Sequence, residues 1–326
     1  MDALRGRSVL VTGGSRGLGL LLARQCKARG CAVTVAARDG DELDRAVGLL
    51  GRGTPGAVTG RVCDVRDAEA VRTLVAGTAR EQGGLDVVLA NAGVIQVGPA
   101  EAAGPDAFRD AMETMFFGAL HTSLAALPYL RDGEGRGRLA LIGSVGGLIP
   151  VPHLVPYSCA KSAVAALAEG LRTEHAALGV SVTEVHPGLM RTGSHLRAEF
   201  AGDARREYGW FATLAGLPLL SMDAERAAER IVAAVERRRP RLVLTPAARL
   251  GARAHGLAPV LVSRADAGVA RLLPDAPANG ADGHRRRTGA EIDAGRGRWQ
   301  RALSALNERA AGRFNETAGQ GARSTR

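Results

Sequence analysis

Short apolar runs alternate with longer amphipathic stretches along the first three quarters of the chain. The runs begin with Ser8–Val11 and Ala32–Ala36 and recur at residues 57–63, 85–90, 138–142, 180–185 and 241–244. Between them, apolar positions recur with the three-to-four-residue spacing of helices. Strands that alternate with helices pair in parallel through right-handed crossovers. The pattern therefore predicts an α/β fold built on a doubly wound parallel sheet.

One segment of this region, residues 187–222, loses the regular pattern. It follows the carboxyl end of a predicted strand, which is where open α/β sheets bind their ligands. We therefore predict a mobile lid, whose bulky side chains either pack onto the sheet or contact a ligand. These side chains are Phe200, Tyr208, Trp210, Phe211, Leu214, Leu217, Leu219 and Leu220.

The pattern divides the chain into one catalytic domain, residues 1–245 with the lid included, and a C-terminal extension. Residues 246–273 are apolar with interspersed arginines. We interpret them as a helical segment packed across the sheet edge; the alternative is an amphipathic surface lying on an anionic membrane. Residues 274–298 are rich in Gly, Asp and Arg. We expect residues 274–326 to be largely flexible, with a possible terminal helix at 299–314.

Composition narrows the classes of partner. The 326 residues carry a net charge of +10, but only 3% are aromatic. The basic residues are dispersed without aromatic interleaving, so we do not expect nucleic-acid binding. The sequence has neither a signal peptide nor an apolar run of spanning length, and its four cysteines have no metal-ligand spacing. We expect a cytoplasmic protein with reduced, packed thiols and no metal.

A glycine-rich turn follows the first predicted strand and precedes the first helix. It reads Thr12-Gly13-Gly14-Ser15-Arg16-Gly17-Leu18-Gly19. Glycines let a backbone turn tightly and approach a pyrophosphate, and the N–H groups and dipole of a helix start attract the anion. The turn therefore predicts a dinucleotide site.

The spacing of Gly13, Gly17 and Gly19 resembles the TGxxxGxG motif of the short-chain dehydrogenase/reductase family. The family's adenine-binding acid is resembled by Asp64 in Cys63-Asp64-Val65, and its NAG motif by Asn91-Ala92-Gly93. Its PG motif, which contacts the nicotinamide, is resembled by Pro187-Gly188 with Thr192. The resemblance covers roughly residues 5–245 and implies a Rossmann-type fold. The cofactor-binding residues that it implies are Gly13, Ser15, Arg16, Gly17, Leu18, Gly19, Arg38, Asp64, Val65, Asn91, Ala92, Gly93, Tyr157, Lys161, Pro187, Gly188 and Thr192.

Charge at the end of the second strand bears on the choice of nicotinamide. An acidic residue there binds a ribose hydroxyl, whereas an arginine accommodates the 2′-phosphate of NADP. The sequence reads Ala36-Ala37-Arg38-Asp39, and Arg16 lies within the glycine-rich turn. We therefore expect a preference for NADP(H), with NAD(H) left possible by Asp39.

Tyr157 and Lys161 lie four residues apart at the start of a predicted helix, and Ser144 ends a predicted strand. Their spacing resembles the family's catalytic signature, which implies catalytic roles for all three. A carbonyl that accepts hydride becomes an alkoxide and needs a proton donor. The pKa of a free tyrosine, near 10, suits this task only if a cation favours the phenolate. The chain has only two lysines, Lys27 and Lys161, so this placement is informative.

One position departs from the family's pattern. Met115 stands where the family carries an Asn that kinks the helix and relays protons through water. A thioether donates no hydrogen bond, so any proton relay must run differently or more slowly. Two functions remain open at this point. The first is an oxidoreductase interconverting a carbonyl and an alcohol on an apolar small molecule; the second is an NADPH-binding sensor with little turnover.

The family resemblance also implies an oligomer. Members commonly associate through the two long helices that flank the sheet, here about residues 105–130 and 156–178. We therefore expect a homodimer or a homotetramer. His153, His175 and His195 have no spacing that suggests a metal site or a Ser-His-Asp site, and we interpret them as surface or packing residues.

Overall fold

A computed structural model provides the coordinates, and it describes residues 4–51, 56–133, 137–217, 221–275, 286–293 and 307–317. Seven strands in this part of the chain form one parallel sheet. They are β1 (Ser8–Thr12), β2 (Ala32–Ala37), β3 (Val58–Val62), β4 (Val87–Ala90), β5 (Arg138–Ile142), β6 (Ser181–His186) and β7 (Arg241–Val243).

The strand order across this sheet is β3-β2-β1-β4-β5-β6-β7. Val11 of β1 therefore pairs with Val35 of β2 on one side and with Leu89 of β4 on the other. The direction of the crossovers reverses between β1 and β4, and such a switch point opens a crevice at the carboxyl ends of the strands. The predicted fold class, a Rossmann-type doubly wound parallel sheet, is confirmed.

Helices cover both faces of the sheet because its strands are apolar on both sides. One hydrophobic core contains side chains of α1 (Gly17–Ala28), α2 (Gly40–Gly51) and α8 (Ala224–Glu236). The other contains side chains of α3 (Ala68–Gln82), α5 (Gly118–Asp132) and α6 (Val155–His175). Both cores consist mainly of Ala, Val and Leu, which lets the helices approach the sheet closely.

A π-helix, Met112–Phe117, joins α4 (Ala100–Ala111) to α5. A π-turn shifts the register of the helix by one residue and is frequent at functional sites. Met115 lies inside it and is buried. The helix therefore changes its geometry at the family's Asn position although no Asn is present.

The segment predicted as a lid contains ordered structure within its described residues. Glu199–Phe200 pairs with Gln96–Val97 on one side and with Arg287–Thr288 on the other. The helix α7 (Ala204–Gly216) then packs Tyr208 and Phe211 against Phe200. These three side chains are buried among their own neighbours and serve packing, whereas Trp210, Leu214 and Leu217 are only partly buried. Leu219 and Leu220 lie outside the described residues.

Part of the predicted flexible tail is also ordered. Residues Arg287–Thr288 form a strand, the short helix α11 (Gly289–Asp293) follows, and Tyr208 donates a hydrogen bond to Asp293. Residues 287–293 of the predicted tail therefore form regular secondary structure. Of the predicted terminal helix at 299–314, residues 299–306 lie outside the described range, and residues 307–313 are helical.

The extension at 246–273 forms two helices, α9 (Pro246–Leu257) and α10 (Pro259–Ala270). Ala248 is the buried residue of α9, and no residue of α10 is buried. Packing across the sheet edge, as interpreted from the sequence, therefore does not describe α10. Among the described residues, no helix is both long and apolar enough to cross a membrane.

Candidate active site

The glycine-rich turn lies against the end of β4 so closely that side chains would not fit. A Cβ on Gly13 would be 2.8 Å from the Cα of Ala92, and one on Gly19 would be 1.9 Å from the carbonyl oxygen of Gly13. Gly13 and Gly17 also have positive φ values, +64° and +52°, which other residues rarely adopt. Local packing thus requires glycine at all three positions of the predicted motif.

The Asn91-Ala92-Gly93 segment connects this turn to the predicted catalytic residues. The side-chain amide of Asn91 donates to the carbonyl oxygens of Thr12 (3.2 Å) and Gly13 (3.1 Å). Gly93 lies next to Lys161, whose Nζ would be 3.7 Å from a Cβ at that position. The glycine-rich turn and Lys161 therefore lie at the same edge of the sheet, and the Asn91-Ala92-Gly93 segment lies between them.

Ser144, Tyr157 and Lys161 come together at the carboxyl end of β5. The Ser144 Oγ accepts a hydrogen bond from the backbone N–H of Gly146 (3.1 Å), and Ser144 shares a side-chain hydrogen bond with Tyr157. Lys161 lies one turn along α6 and donates to the carbonyl oxygen of Ile142 (2.7 Å). Its Nζ is 5.9 Å from the centroid of the Tyr157 ring.

Burial shifts the pKa values of both titrating groups. It raises the pKa of Tyr157, and the hydrogen bond with Ser144 acts in the opposite direction. It lowers the pKa of Lys161 to about 8. At neutral pH the lysine is therefore still mainly charged while the phenol is protonated, so a proton donor and a cation lie side by side.

Two buried residues that the sequence analysis did not single out hold the Ser144 backbone in place. His186 contacts the carbonyl oxygen of Ser144 through Nδ1 (2.9 Å) and contacts Glu184 through Nε2. Burial raises the pKa of Glu184, but the contacts with His186, Arg241 and Arg172 outweigh it and the net shift is downward. Polar residues at alternate positions of an otherwise buried strand were the signal that could have revealed this pair.

The PG motif reaches both halves of the site. The carbonyl oxygen of Pro187 accepts from the N–H of Val145, next to Ser144. Thr192 is buried, and its Cβ is 3.9 Å from the position that a Cβ on Gly17 would occupy. Gly188 is half-buried between these residues. The structure thus brings Pro187, Gly188 and Thr192 between the predicted catalytic residues and the glycine-rich turn.

The two arginines that suggested a phosphate differ in their surroundings. Arg38 is exposed at the end of β2, and its charge acts on Asp64, whose carboxylate is bonded to Arg66. Arg16 instead forms ion pairs with Glu42 (2.8 Å) and Glu316 (3.3 Å). Arg38 is therefore open to a ligand, whereas Arg16 is engaged by the protein itself.

The remaining cofactor candidates lie around the same edge. Ser15 donates to Glu42, Leu18 is half-buried at the start of α1, and Val65 is buried after β3. Met115 packs with Ala111 and Ala160 beside Tyr157, and it is close to Gly93. The place that the family gives to a polar Asn is therefore apolar here.

The other titratable candidates have partners of their own. His153 contacts Glu207 (2.8 Å), His175 contacts Arg131 (2.7 Å) and His195 packs against Tyr208. Among the described residues, no group of three His, Cys, Asp or Glu side chains could hold a metal ion. Cys26, Cys31 and Cys63 are buried, but Cys159 is exposed, so the expectation of packed thiols was wrong for Cys159.

Comparison with known proteins identifies the family. Residues 7–199 match the family described as short chain dehydrogenase. The chain belongs to this family. A crystal structure of a short chain dehydrogenase from Mycobacterium paratuberculosis bound to NAD has a TM-score of 0.65 and 26% sequence identity, and the match covers 74% of this chain and 96% of that one.

Similar proteins in the family include a reductase and a dehydrogenase by name. Granaticin polyketide synthase putative ketoacyl reductase 1 of Streptomyces violaceoruber is 34% identical over 204 residues, which cover 59% of this chain and 72% of the relative. L-fucose dehydrogenase of Bos taurus is 36% identical over 188 residues, which cover 57% and 67%. As a short-chain dehydrogenase, the chain is a nicotinamide-dependent oxidoreductase that acts on CH–OH groups.

Proposed function

We propose that the chain is an NADP(H)-dependent oxidoreductase that interconverts a carbonyl and an alcohol on an apolar small molecule, with Tyr157 as general acid and base. The observation that carries this proposal is the hydrogen bond between Ser144 and Tyr157 together with the Lys161 Nζ, which lies 5.9 Å from the centroid of the Tyr157 ring. Partly buried apolar side chains, Ile95, Val151 and Leu189, pack against the same cluster as Tyr157 and support an apolar substrate.

The residues at the switch point fit a nicotinamide dinucleotide. The glycines leave room for a phosphate at the start of α1, and the carboxylate of Glu316 already lies there as a stand-in anion. The nicotinamide end would contact Pro187, Gly188 and Thr192, and the adenosine would contact Arg38, Asp64 and Val65. The phosphates and riboses would be lined by Gly13, Ser15, Gly17, Leu18, Gly19, Asn91, Ala92 and Gly93. The nicotinamide would supply or accept the hydride.

The protein's own side chains would manage the oxygen of the substrate. The Ser144 hydroxyl would hold the carbonyl oxygen, and Tyr157 would protonate it as negative charge develops there. The charge of Lys161 would stabilise the phenolate that remains, which makes proton transfer near neutral pH feasible. In the oxidative direction Tyr157 would take the proton back. Met115 offers no polar group for returning that proton to solvent, so another route must restore it.

A substrate screen tests the function. The purified chain would be incubated with NADPH or NADH and a panel of ketones and aldehydes, while the absorbance of the reduced nicotinamide is followed. We expect substrate-dependent oxidation of NADPH, fastest with apolar carbonyls. Binding of NADPH without turnover of any carbonyl, or of any alcohol with NADP⁺, would instead favour the sensor. The packed surroundings of Met115 are the observation that keeps this alternative in view.

The exposed guanidinium of Arg38 leads to a prediction on cofactor choice. Arg38→Glu should weaken NADPH binding by about 100-fold, since a charge-assisted contact to a 2′-phosphate is replaced by repulsion. NADH binding should change by less than about threefold, because NADH lacks that phosphate. Arg45→Glu is the matched control, since Arg45 is also exposed and lies on the next helix, α2. Equal losses for both cofactors, or from both variants, would contradict the NADP(H) preference.

The exposed side chains of α9 and α10 favour a second property, attachment to an anionic membrane surface. Six large apolar residues are exposed in this part of the chain: Leu250, Leu257, Val260, Leu261, Val269 and Leu272. Four arginines lie among them against one acidic residue, Asp266. Apolar residues that insert beside headgroups, combined with positive charge, are typical of helices that bind anionic lipid surfaces.

Vesicle sedimentation tests this property. Leu261→Glu with Leu272→Glu should reduce binding to phosphatidylserine-containing vesicles by about fivefold or more, because both side chains are largely exposed, at 65% and 85%. Leu124→Glu is the control, since Leu124 is exposed on α5. Equal sedimentation of all forms would overturn the proposal. So would a concentration-dependent dimer that the double variant alone abolishes, because the surface would then bind a second copy.

A further inference from the structure

The C-terminal segment 307–317 docks into the edge of the sheet where the glycine-rich turn lies. The backbone N–H of Gly17, the first residue of α1, donates to the carbonyl oxygen of Phe314 (2.9 Å). The side-chain amide of Asn315 donates to the carbonyl oxygens of Ser15 (2.9 Å) and Glu42 (3.0 Å). The docked segment therefore occupies the N–H of Gly17, which is a donor that a dinucleotide phosphate would need at the start of α1.

The side chain of Glu316 fills the space that the glycines leave open. A Cβ on Gly17 would be 2.5 Å from the Glu316 Oε1, and Glu316 Oε2 forms an ion pair with Arg16 (3.3 Å). The carbonyl oxygen of Glu316 also accepts from Arg197 Nε (3.0 Å). A carboxylate at a helix start, flanked by two arginines, is in the position of a bound phosphate.

The segment is held along its whole described length. Asn307 accepts from the N–H of Gly193 (2.8 Å), and Ala311 lies so close to Gly193 that a Cβ there would be 2.3 Å from the Ala311 Cα. Ala310 and Phe314 are part of the hydrophobic core formed by α1, α2 and α8. The docking is thus specific to this segment and reaches from the PG motif to the glycine-rich turn.

The positive charges of this cluster already have acidic partners. Two guanidinium groups, Arg16 and Arg197, face the carboxyl groups of Glu42 and Glu316. Burial raises the pKa of Glu316 to about 7, so its carboxyl group is partly protonated at neutral pH. A pyrophosphate placed beside the docked segment would meet both carboxylates and no free positive charge in this cluster. The phosphate and Glu316 therefore exclude one another by charge as well as by volume.

We propose that residues 307–317 are an internal ligand of the dinucleotide-phosphate subsite, which compete with the cofactor through Glu316, and that Arg197 becomes a phosphate ligand once they leave. This inference rests on the proposed function. Cofactor binding and docking of the tail each weaken the other by the same factor, because both need the phosphate subsite at the glycine-rich turn. The cofactor's measured affinity is reduced by the fraction of molecules in which the tail is docked.

Cofactor affinity in the full-length protein tests the competition. Asn315→Ala with Glu316→Ala should lower the Kd for NADPH by about tenfold or more, because the side-chain contacts of the tail to Ser15, Arg16 and Glu42 are lost. Glu308→Gln is the matched control: it removes one acidic charge from the same segment, at a position that is half-buried. Arg197→Gln, added to the double variant, should weaken NADPH binding by about tenfold if Arg197 binds phosphate.

Hydrogen exchange provides a readout that does not depend on variants. The amides of Phe314 and Glu316 donate to Ala310 and Ala311 within the docked segment (both 3.0 Å). Saturating NADPH should speed exchange at these amides while β1 stays protected. Slower exchange with NADPH would overturn the inference, since the tail would then close over the cofactor. Equal NADPH affinity in all forms would also overturn it but leave the function intact, whereas absence of NADPH binding in every form would count against the proposed function.

Discussion

Replacing Tyr157 with Phe is expected to reduce carbonyl reduction by about a thousandfold while NADPH binds as before. The substitution removes only the hydroxyl that shares a hydrogen bond with Ser144, and the ring keeps its packing against the Phe200 cluster. A positioned general acid contributes roughly 10² to 10⁴ in rate, so its loss falls within this range. Steady-state rates of NADPH oxidation and a fluorescence titration of NADPH measure the two effects separately.

The chain offers a matched control for this variant. Its three tyrosines are Tyr129, Tyr157 and Tyr208. Tyr129 lies on α5 and packs against the core formed by α3, α5 and α6, and not against the Phe200 cluster, so Tyr129→Phe should retain nearly full activity. If Tyr157→Phe kept more than about a tenth of the wild-type rate, or lost NADPH affinity in parallel, Tyr157 would not be the proton donor.

The sequence predicted the sheet because its strands carry their own signal. β1, β2 and β4 are runs of Val, Leu and Ala that are buried on both faces, and runs of this kind alternate with helices only in parallel α/β sheets. The handedness rule for crossovers then limits the possible strand orders. Local pattern and one topological rule were therefore sufficient for the doubly wound parallel sheet, whereas the Rossmann type was implied by the family resemblance.

The candidate site was predictable in part for a related reason. Tyr157 and Lys161 are four residues apart on one helix, and the strand before that helix ends next to Ser144, so the fold alone brings all three to one edge. The pair of Glu184 and His186 was missed because its role depends on a neighbouring strand. Their side chains matter to Ser144 only through the register between β5 and β6.

The docking of the tail could not be predicted from any local pattern. Asn315 bonds to Ser15 across 300 positions of the sequence. Glu316 has no spacing relation to the glycine-rich turn, and Arg197 does not stand out among 43 basic residues. Long-range contacts of this kind depend on shape and charge that exist only after the sheet has formed. The prediction of a flexible tail followed its composition, which does not register such contacts.

Replacing Lys161 with Met is expected to abolish most of the activity and, at the same time, to stabilise the folded protein at neutral pH. Burial lowers the pKa of Lys161 to about 8, compared with about 10.4 in an unfolded chain. Between about pH 8 and about pH 10.4 the unfolded state therefore binds more protons than the folded state, so the free energy of unfolding rises with pH in that window. Below about pH 8 the full destabilisation by the buried charge is present. At pH 7 the buried charge reduces the free energy of unfolding by about 3 kcal/mol. Lys161→Met removes this penalty but also loses the hydrogen bond to Ile142, which costs about 1 kcal/mol.

Lys161→Met should therefore raise Tm at pH 7 by about 5 °C, since about 1 kcal/mol shifts a domain of this size by 2–4 °C. The gain should disappear near pH 10, where the native lysine is neutral.

Turnover of Lys161→Met should fall by about a hundredfold or more, because the phenolate of Tyr157 loses its cation. Lys27→Met is the control for activity: Lys27 is also buried and donates to a main-chain carbonyl, that of Leu50 (2.6 Å), but it is not part of the site. If Lys161→Met melted at a lower temperature than the wild type at pH 7, burial of the ammonium group would not be destabilising. If Lys161→Met kept its turnover, Tyr157 would not need this cation.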